Sequence, residues 1–384
     1  MKHSVDRILT THVGSLPRPV DLLDLMKSKV EGRDHDEVAY NQRVATAVRD
    51  CLHQQVACGI DVSTDGEQGK LGFQTYVTER LEGYEPRAGA TDSSQFAAEV
   101  ADFPEYYEHY FGEAMHGGAI THIDPMVCTG PIRYRGAEAI ARDIANLQAA
   151  AAQVEAEEIF MPAVAPSGVG GNEFYGSEED YLQAVAAALE TEYRAIVDAG
   201  FILQIDDPWL TVVHSDASLD PAERVRRAEI YVEVVNHSLR DIPAEKVRFH
   251  TCYGINEGPR VHDTPLRDIV DIILRVNAGA YSFEAANPRH EHEYHVWEGI
   301  DLPDGKILIP GVVAHASNIV EHPELIAERL VRFARLVGRE RVIAGTDCGF
   351  STQATYRTEV HPTVVWAKFR AMAEGARLAT AQLW

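Results

Sequence analysis

Apolar runs of strand length alternate with longer helix-like stretches along nearly the whole chain, and this alternation limits the fold more than any other feature. The runs fall at 7–13, 60–64, 159–165, 201–205, 247–252, 280–284, 307–313 and 342–346, eight in all. Helical patterns intervene at 178–199, 221–239, 266–276 and 323–337. Their starts carry the expected signals: Ser177 ahead of Glu178-Glu179-Asp180, and Pro323 after His322. Gly200 and Gly338 mark helix ends. Parallel neighbours need a long crossover, so repeated strand–helix units imply a parallel sheet. An open doubly wound sheet has a similar signature, but eight units predict a closed (β/α)8 barrel of the TIM type. We expect one α/β barrel domain over 1–384 with an inserted segment at about 84–135. Within that insert the strand-like run 126–134 is surplus, and the polar, aromatic segment 84–125 reads as an excursion between the second and third units. Asp102-Phe103-Pro104-Glu105-Tyr106-Tyr107 reads there as loop or hairpin.

A barrel of this kind carries its reactive groups at the C-terminal ends of its strands. The residues following the eight runs are polar almost throughout: Gly14-Ser15, Asp65-Gly66-Glu67, Ser167, Asp206-Asp207, His250 and Cys252, Glu284, His315 and Asn318, and Asp347-Cys348. With 45% hydrophobic residues in 384, the chain can bury a core large enough to hold them. Its 59 acidic and 35 basic side chains give a net charge of -24, which repels phosphate backbones and argues against nucleic acid as a partner. No apolar run approaches the roughly 20 residues that span a bilayer. The opening residues lack an apolar core followed by a cleavage site, so a cytoplasmic protein without membrane contact is expected. Five cysteines at irregular spacing argue against a disulfide framework, and Cys51, Cys58 and Cys128 read as core residues.

The other two cysteines stand apart. In His250-Thr251-Cys252, residues two apart at a strand end point to the same side and can grip one ion together. Glu284 and Cys348, from other strand ends, would complete a tetrahedral His-Cys-Glu-Cys set, which suits zinc best. A buried histidine and two inert core cysteines would give the same local sequence. His290, His292 and His295 do not converge at their spacing and read as solvated rings or as partners of Glu291 and Glu293. His12 reads as a support behind the site, and Arg260 and Arg289 as holders of an anion near strand ends.

Taken together these motifs resemble the cobalamin-independent methionine synthase family, specifically its catalytic C-terminal half, from Thr10 to about Ser351. Thr11-His12-Val13-Gly14-Ser15-Leu16-Pro17 is similar to that family's opening strand, and Asp61-Val62-Ser63-Thr64-Asp65-Gly66-Glu67 to its second. Leu203-Gln204-Ile205-Asp206-Asp207-Pro208 is similar to an Ile-Asp-Glu-Pro element. His250, Cys252, Glu284 and Cys348 fall on the family's zinc ligands in order, and Gly311 to Asn318 on the strand bearing its proton-relay histidine, here His315. Where the family sets a tryptophan against the pterin, after Pro166, this chain has Asn172 followed by Phe174 and Tyr175. The run 284–293 is more like the short single-barrel members, which include zinc enzymes that add coenzyme M to epoxides.

The resemblance implies a zinc-dependent thiol alkyltransferase of the methionine synthase type. Zinc would hold a small thiol, homocysteine first, as thiolate for attack on an alkyl donor, with Glu284 an exchangeable ligand. Glu67 and Asp206 would hold the ammonium group, Ser15 the carboxylate, and His315 would handle the proton. The donor stays open between folate, a methylated corrinoid carrier protein and a small methyl compound. Two rivals remain at this point: an epoxide:thiol transferase of the coenzyme M type, and a zinc-bearing binding protein without turnover.

Overall fold

All eight expected runs contribute strands to one parallel sheet in the computed structural model, which describes residues 1–87, 96–111, 118–121, 124–216, 218–254 and 257–384. In chain order the strands are β1 (Leu9–Thr10), β2 (Val62–Ser63), β3 (Leu81–Pro86), β4 (Met126–Tyr134), β5 (Glu158–Val164), β6 (Gly171–Asn172), β7 (Ile202–Asp206), β8 (Val247–His250), β9 (Ala280–Phe283), β10 (Ile307–Val313) and β11 (Ile343–Thr346). The large sheet runs β1-β11-β10-β9-β8-β7-β5-β2, so its neighbours follow chain order. A parallel bridge between Thr11 and Val62 joins its two ends, and the sheet closes as a TIM barrel. β1 and β2 are much shorter than their apolar runs because side chains take over the ladder between them. Thr10 N–H donates to Asp61 at 2.9 Å, and the Thr10 and Thr11 hydroxyls donate to the carbonyls of Gly59 and Val62 at 2.7 and 2.8 Å.

Helices cover the outside of the barrel. In Leu266–Ile273 the buried residues are Leu266, Ile269, Val270 and Ile273, one face of a 3.6-residue repeat. Each such side chain contributes about 1.5–3 kcal/mol when fully buried. Ser177 caps Glu178–Asp198 by accepting from Asp180 N–H at 3.0 Å, and Gly200 and Gly338 take the left-handed backbone expected just past helix ends. Among the described residues no helix is long and apolar enough to cross a membrane. Cys51, Cys58 and Cys128 are buried and free.

Two polar groups fill the barrel where apolar layers would ordinarily meet. Arg248 is fully buried, donates to Thr11 Oγ1 at 2.9 Å and to the His12 carbonyl at 2.8 Å, and lies 4.1 Å above the Phe160 ring. His12 bonds to Gln55 at 2.8 Å and packs edge-on to Phe160, so it ties the barrel to the helix Glu37–Ala57 rather than to the strand-end groups.

β3, β4 and β6 form a separate small sheet, antiparallel between β3 and β4. The stretch expected as loop or hairpin at 102–107 is instead largely helical, with Ala97–Asp102 running into Pro104–His109. Pro104 sits at the first helical position, where its missing N–H leaves no bond unmade, so Phe103-Pro104-Glu105 was a helix start. Rings of Phe96, Tyr106, Tyr107, Tyr110 and Phe111 stack on one another there.

The loop after β9 is fixed by a buried ion-pair cluster. His290 lies 2.7 Å from Glu293 and 3.0 Å from Asp263, and stacks on Tyr253 at 4.1 Å. It is therefore a buried, paired ring and not a solvated one. Burial would lower its pKa, but the two carboxylates outweigh it and raise the value to about 9. A histidine raised above its ordinary 6.5 contributes stability that is complete below 6.5 and lost as pH rises through 9. Wild type minus His290→Gln stability, from urea unfolding, should fall between these values with a slope approaching about 1.4 kcal/mol per pH unit. A difference that stays flat with pH would show the ring is not held charged.

β10 and β11 approach so closely that a Cβ at Gly311 would stand 2.1 Å from Asp347 Oδ1 and 2.7 Å from the Asp347 backbone. Gly311→Ala should therefore lower unfolding stability by about 1–3 kcal/mol through overpacking. The urea midpoint measures it, and an unchanged midpoint would mean the strands can part without penalty.

Candidate metal centre

Barrel closure brings the ends of β8, β9, β10 and β11 side by side. His250 closes β8, and the turn after it is pinned on both flanks. Thr251 N–H donates to the Ser282 carbonyl at 3.0 Å, its hydroxyl donates to the Asp207 carbonyl at 2.8 Å, and Asp207 N–H donates to the His250 carbonyl at 2.9 Å. Cys252 thus stays beside His250 although the strand has ended. Cys348 comes from the turn after β11, and the two sulfurs stand 3.5 Å apart. The ligand atoms of His250, Cys252 and Cys348 all lie within 4.8 Å of one another, and all three residues are buried.

The His250 ring is oriented from behind. Its Nδ1 lies 3.1 Å from the Ser282 hydroxyl, while Nε2 is buried without a hydrogen-bond partner. An orphaned imidazole nitrogen beside two buried thiols fits a soft divalent ion, because an uncompensated buried polar atom is otherwise costly. The Cys348 thiol, then burial against it, then His250 act on Cys252, and the net effect holds its thiol well below the usual range. One of the two sulfurs is poised as thiolate.

Glu284 is not part of that trio. It stands in an adjoining buried cluster with His315 and Asp347, whose ligand atoms also lie within 4.8 Å of one another. One Glu284 oxygen accepts from Arg260 at 2.8 Å and from Asn287 at 2.7 Å, and the other accepts from Tyr253 N–H at 3.0 Å. Arg260, read as an anion holder, holds an anion of the protein itself, whereas Arg289 donates to the Val261 carbonyl at the surface. Both ring nitrogens of His315 are buried without partners, and burial lowers its pKa to about 4, so the ring is neutral near pH 7. Asp347 accepts from the N–H groups of Ala285 and Ala286, both at 2.8 Å, and from Asn287 at 3.0 Å. Asn318 faces solvent and donates to the Glu359 carbonyl, away from this cluster.

The remaining expected residues lie on the neighbouring strand ends. Ser15 Oγ is buried without a partner, and a Cβ at Gly349 would come 2.1 Å from it, so only glycine leaves the hydroxyl its space. Glu67 has φ 56° and Arg260 φ 55°, the only left-handed residues other than glycine among those described. The Glu67 carboxylate pairs with buried Lys70 at 3.1 Å, a partner the sequence offered at a spacing of three but that the motif reading passed over. Asp206 accepts from Gln204 at 2.7 Å, and burial raises its pKa to about 7. The Trp209 ring packs against Gly168, just after β5, and stacks on Phe73 at 5.9 Å.

Comparison with known proteins identifies the family. Residues 173–373, just over half of the chain, match the family described as cobalamin-independent synthase, catalytic domain. The methionine synthase of Sulfolobus acidocaldarius is 25% identical over 356 residues, covering 91% of this chain and 87% of its own. That of Thermococcus kodakarensis is 24% identical over 344 residues, covering 88% and 86%. The B12-independent methionine synthase from Shewanella sp. W3-18-1, solved with selenomethionine, superimposes with a TM-score of 0.71 at 18% identity, over 98% of this chain and 99% of that one. This last likeness speaks for the barrel alone. The chain belongs to the cobalamin-independent methionine synthase family and is a methyltransferase carrying that family's catalytic barrel.

Proposed function

We propose that the protein methylates the sulfur of homocysteine, with zinc held by His250, Cys252 and Cys348 and with Glu284 as the exchangeable fourth ligand. The observation that carries this reading is the convergence of two thiols and an unpartnered imidazole nitrogen from strands far apart in sequence. Zinc held there would lower the pKa of a coordinated substrate thiol, so that its proton is lost to solvent and the sulfur is left as a nucleophilic thiolate. The chain's own groups fit the rest of an amino-acid thiol. Asp206, which accepts from the Gln204 side-chain amide, meets an ammonium group, with Glu67 beside it tempered by Lys70. The Ser15 hydroxyl is free to donate to a carboxylate. His315, neutral and unpartnered at both nitrogens, carries one N–H and one lone pair and so can relay a proton to the departing group.

Metal analysis of the purified chain should find one zinc per chain in the wild type and a large loss in Cys252→Ser and Cys348→Ser. Unchanged zinc in both variants removes the metal reading.

Thiol choice is tested at Asp206. A charge-assisted hydrogen bond is worth roughly 1.5–3 kcal/mol, so Asp206→Asn should lower kcat/KM for homocysteine by about ten- to a hundredfold. A sulfonate thiol such as coenzyme M has no ammonium and should be untouched. A wild type that prefers coenzyme M, with this substitution neutral, replaces the methionine synthase reading by the epoxide:thiol one. The assay is run with methylated folate, a methylated corrinoid protein and a small methyl compound in parallel to name the donor.

A further inference from the structure

Glu284 is fully engaged by the protein itself. Three donors from two segments hold its two oxygens, and the one formal charge among them is the guanidinium of Arg260, 2.8 Å away. Arg260 is buried and is itself fixed at its other edge, where Nε donates to Asp263 at 2.7 Å. Its backbone is left-handed, a conformation unfavourable for a residue with a Cβ unless the surroundings enforce it. Glu99 enforces it. This buried carboxylate, on the short helix Ala97–Asp102 between β3 and β4, accepts from Arg260 N–H at 3.1 Å and from His262 N–H at 2.9 Å. Tyr107 donates to the same carboxylate at 3.3 Å, which ties it to the aromatic cluster of that segment.

We propose that Arg260 is a positioning residue that competes with the metal for the Glu284 carboxylate, so that this fourth ligand gives way readily to thiol, and that Glu99 locks Arg260 in the conformation this requires. The inference rests on the metal reading of His250, Cys252 and Cys348. Its logic is charge. Two thiolates already neutralise a divalent ion, so a substrate thiolate adds one negative charge, and Glu284 as well would add a second in a buried site. A cation that pairs with Glu284 neutralises that second charge as the thiol takes its place. The helix Ala97–Asp102 thereby acts on the centre through the two backbone amides that Glu99 holds.

The test uses the full chain loaded with zinc alone, and reads zinc loss to a chelator, then homocysteine KM and kcat separately. Arg260→Gln removes the competing cation and leaves Glu284 more firmly on the metal. It should hold zinc about tenfold more tightly and raise the KM for homocysteine by a similar factor, the size expected when one charge-assisted bond is lost. Arg260→Gln combined with Glu284→Gln should behave as Glu284→Gln alone, which a merely structural role of Arg260 does not produce. Arg260→Lys keeps the charge and should restore most of the wild-type KM. Glu99→Gln should move zinc retention in the same direction by less. Should Arg260→Gln fail to fold by circular dichroism, the lysine and Glu99 variants decide the matter. Zinc retention that does not change in Arg260→Gln and Glu99→Gln, or tightens equally without Glu284, overturns the proposal while leaving the metal reading intact. A wild type that binds no zinc overturns both.

Discussion

Closure of the parallel sheet is the constraint from which the rest follows. In a closed parallel barrel every strand ends on the same face, so residues about a hundred positions apart are forced within a few ångströms. Cys252 and Cys348 meet at 3.5 Å for this reason alone. The closure is narrow. It depends on a single bridge between Thr11 and Val62, on Thr10 and Thr11 side chains bonded across to the second unit, and on Arg248 reaching from β8 to the end of β1. An arginine inside a barrel is costly to desolvate, and burial lowers its pKa to about 9. Here it stitches the first strand to the opposite wall, which a leucine of similar volume could not do.

What could be read in the sequence was whatever repeats or sits at a strand end. The eight runs were visible because each is continuous and apolar, as buried parallel strands must be. His250, Cys252, Cys348 and Ser15 were visible because chemistry at a barrel mouth can come only from those ends. The short helix at Pro104–His109 was missed because its aromatic residues pack on one another and show no helical period, although Pro104 marked its start. Lys70 was overlooked because a lysine between Gly69 and Leu71 looks like any surface residue, yet it is buried beneath Glu67. Arg260 drew notice only as a cation near a strand end. Its actual partner depends on a left-handed backbone held by Glu99, 161 residues earlier, and no local pattern encodes that.

The family likeness and the geometry also carry different weight. Relatives at 25% identity speak for the family and the kind of enzyme, while what each side chain at the strand ends does is read from its own contacts. Glu284 illustrates this. It stands at the end of β9, and its oxygens are engaged by Arg260, Asn287 and Tyr253. As the proposed fourth ligand it would have two homes, with the balance between them set by the cation on the far side.

Asp347 completes that balance. It directly precedes Cys348, yet its carboxylate reaches back to the amides of Ala285 and Ala286 and to the Asn287 side chain, which also donates to Glu284. The thiol side and the carboxylate side of the centre are therefore parts of one hydrogen-bonded unit spanning β9 and β11. β10 lies between them and must yield room, which is why Gly311 has no side chain at the point where Asp347 crosses. Such a unit cannot shift one ligand without loading the other. With zinc held as proposed, Glu284 would exchange by moving its terminal carboxylate between Arg260 and the metal while the backbone of both strands keeps its hydrogen bonds. Such a frame would suit a reaction in which a sulfur ligand is taken up, held and released in every turnover.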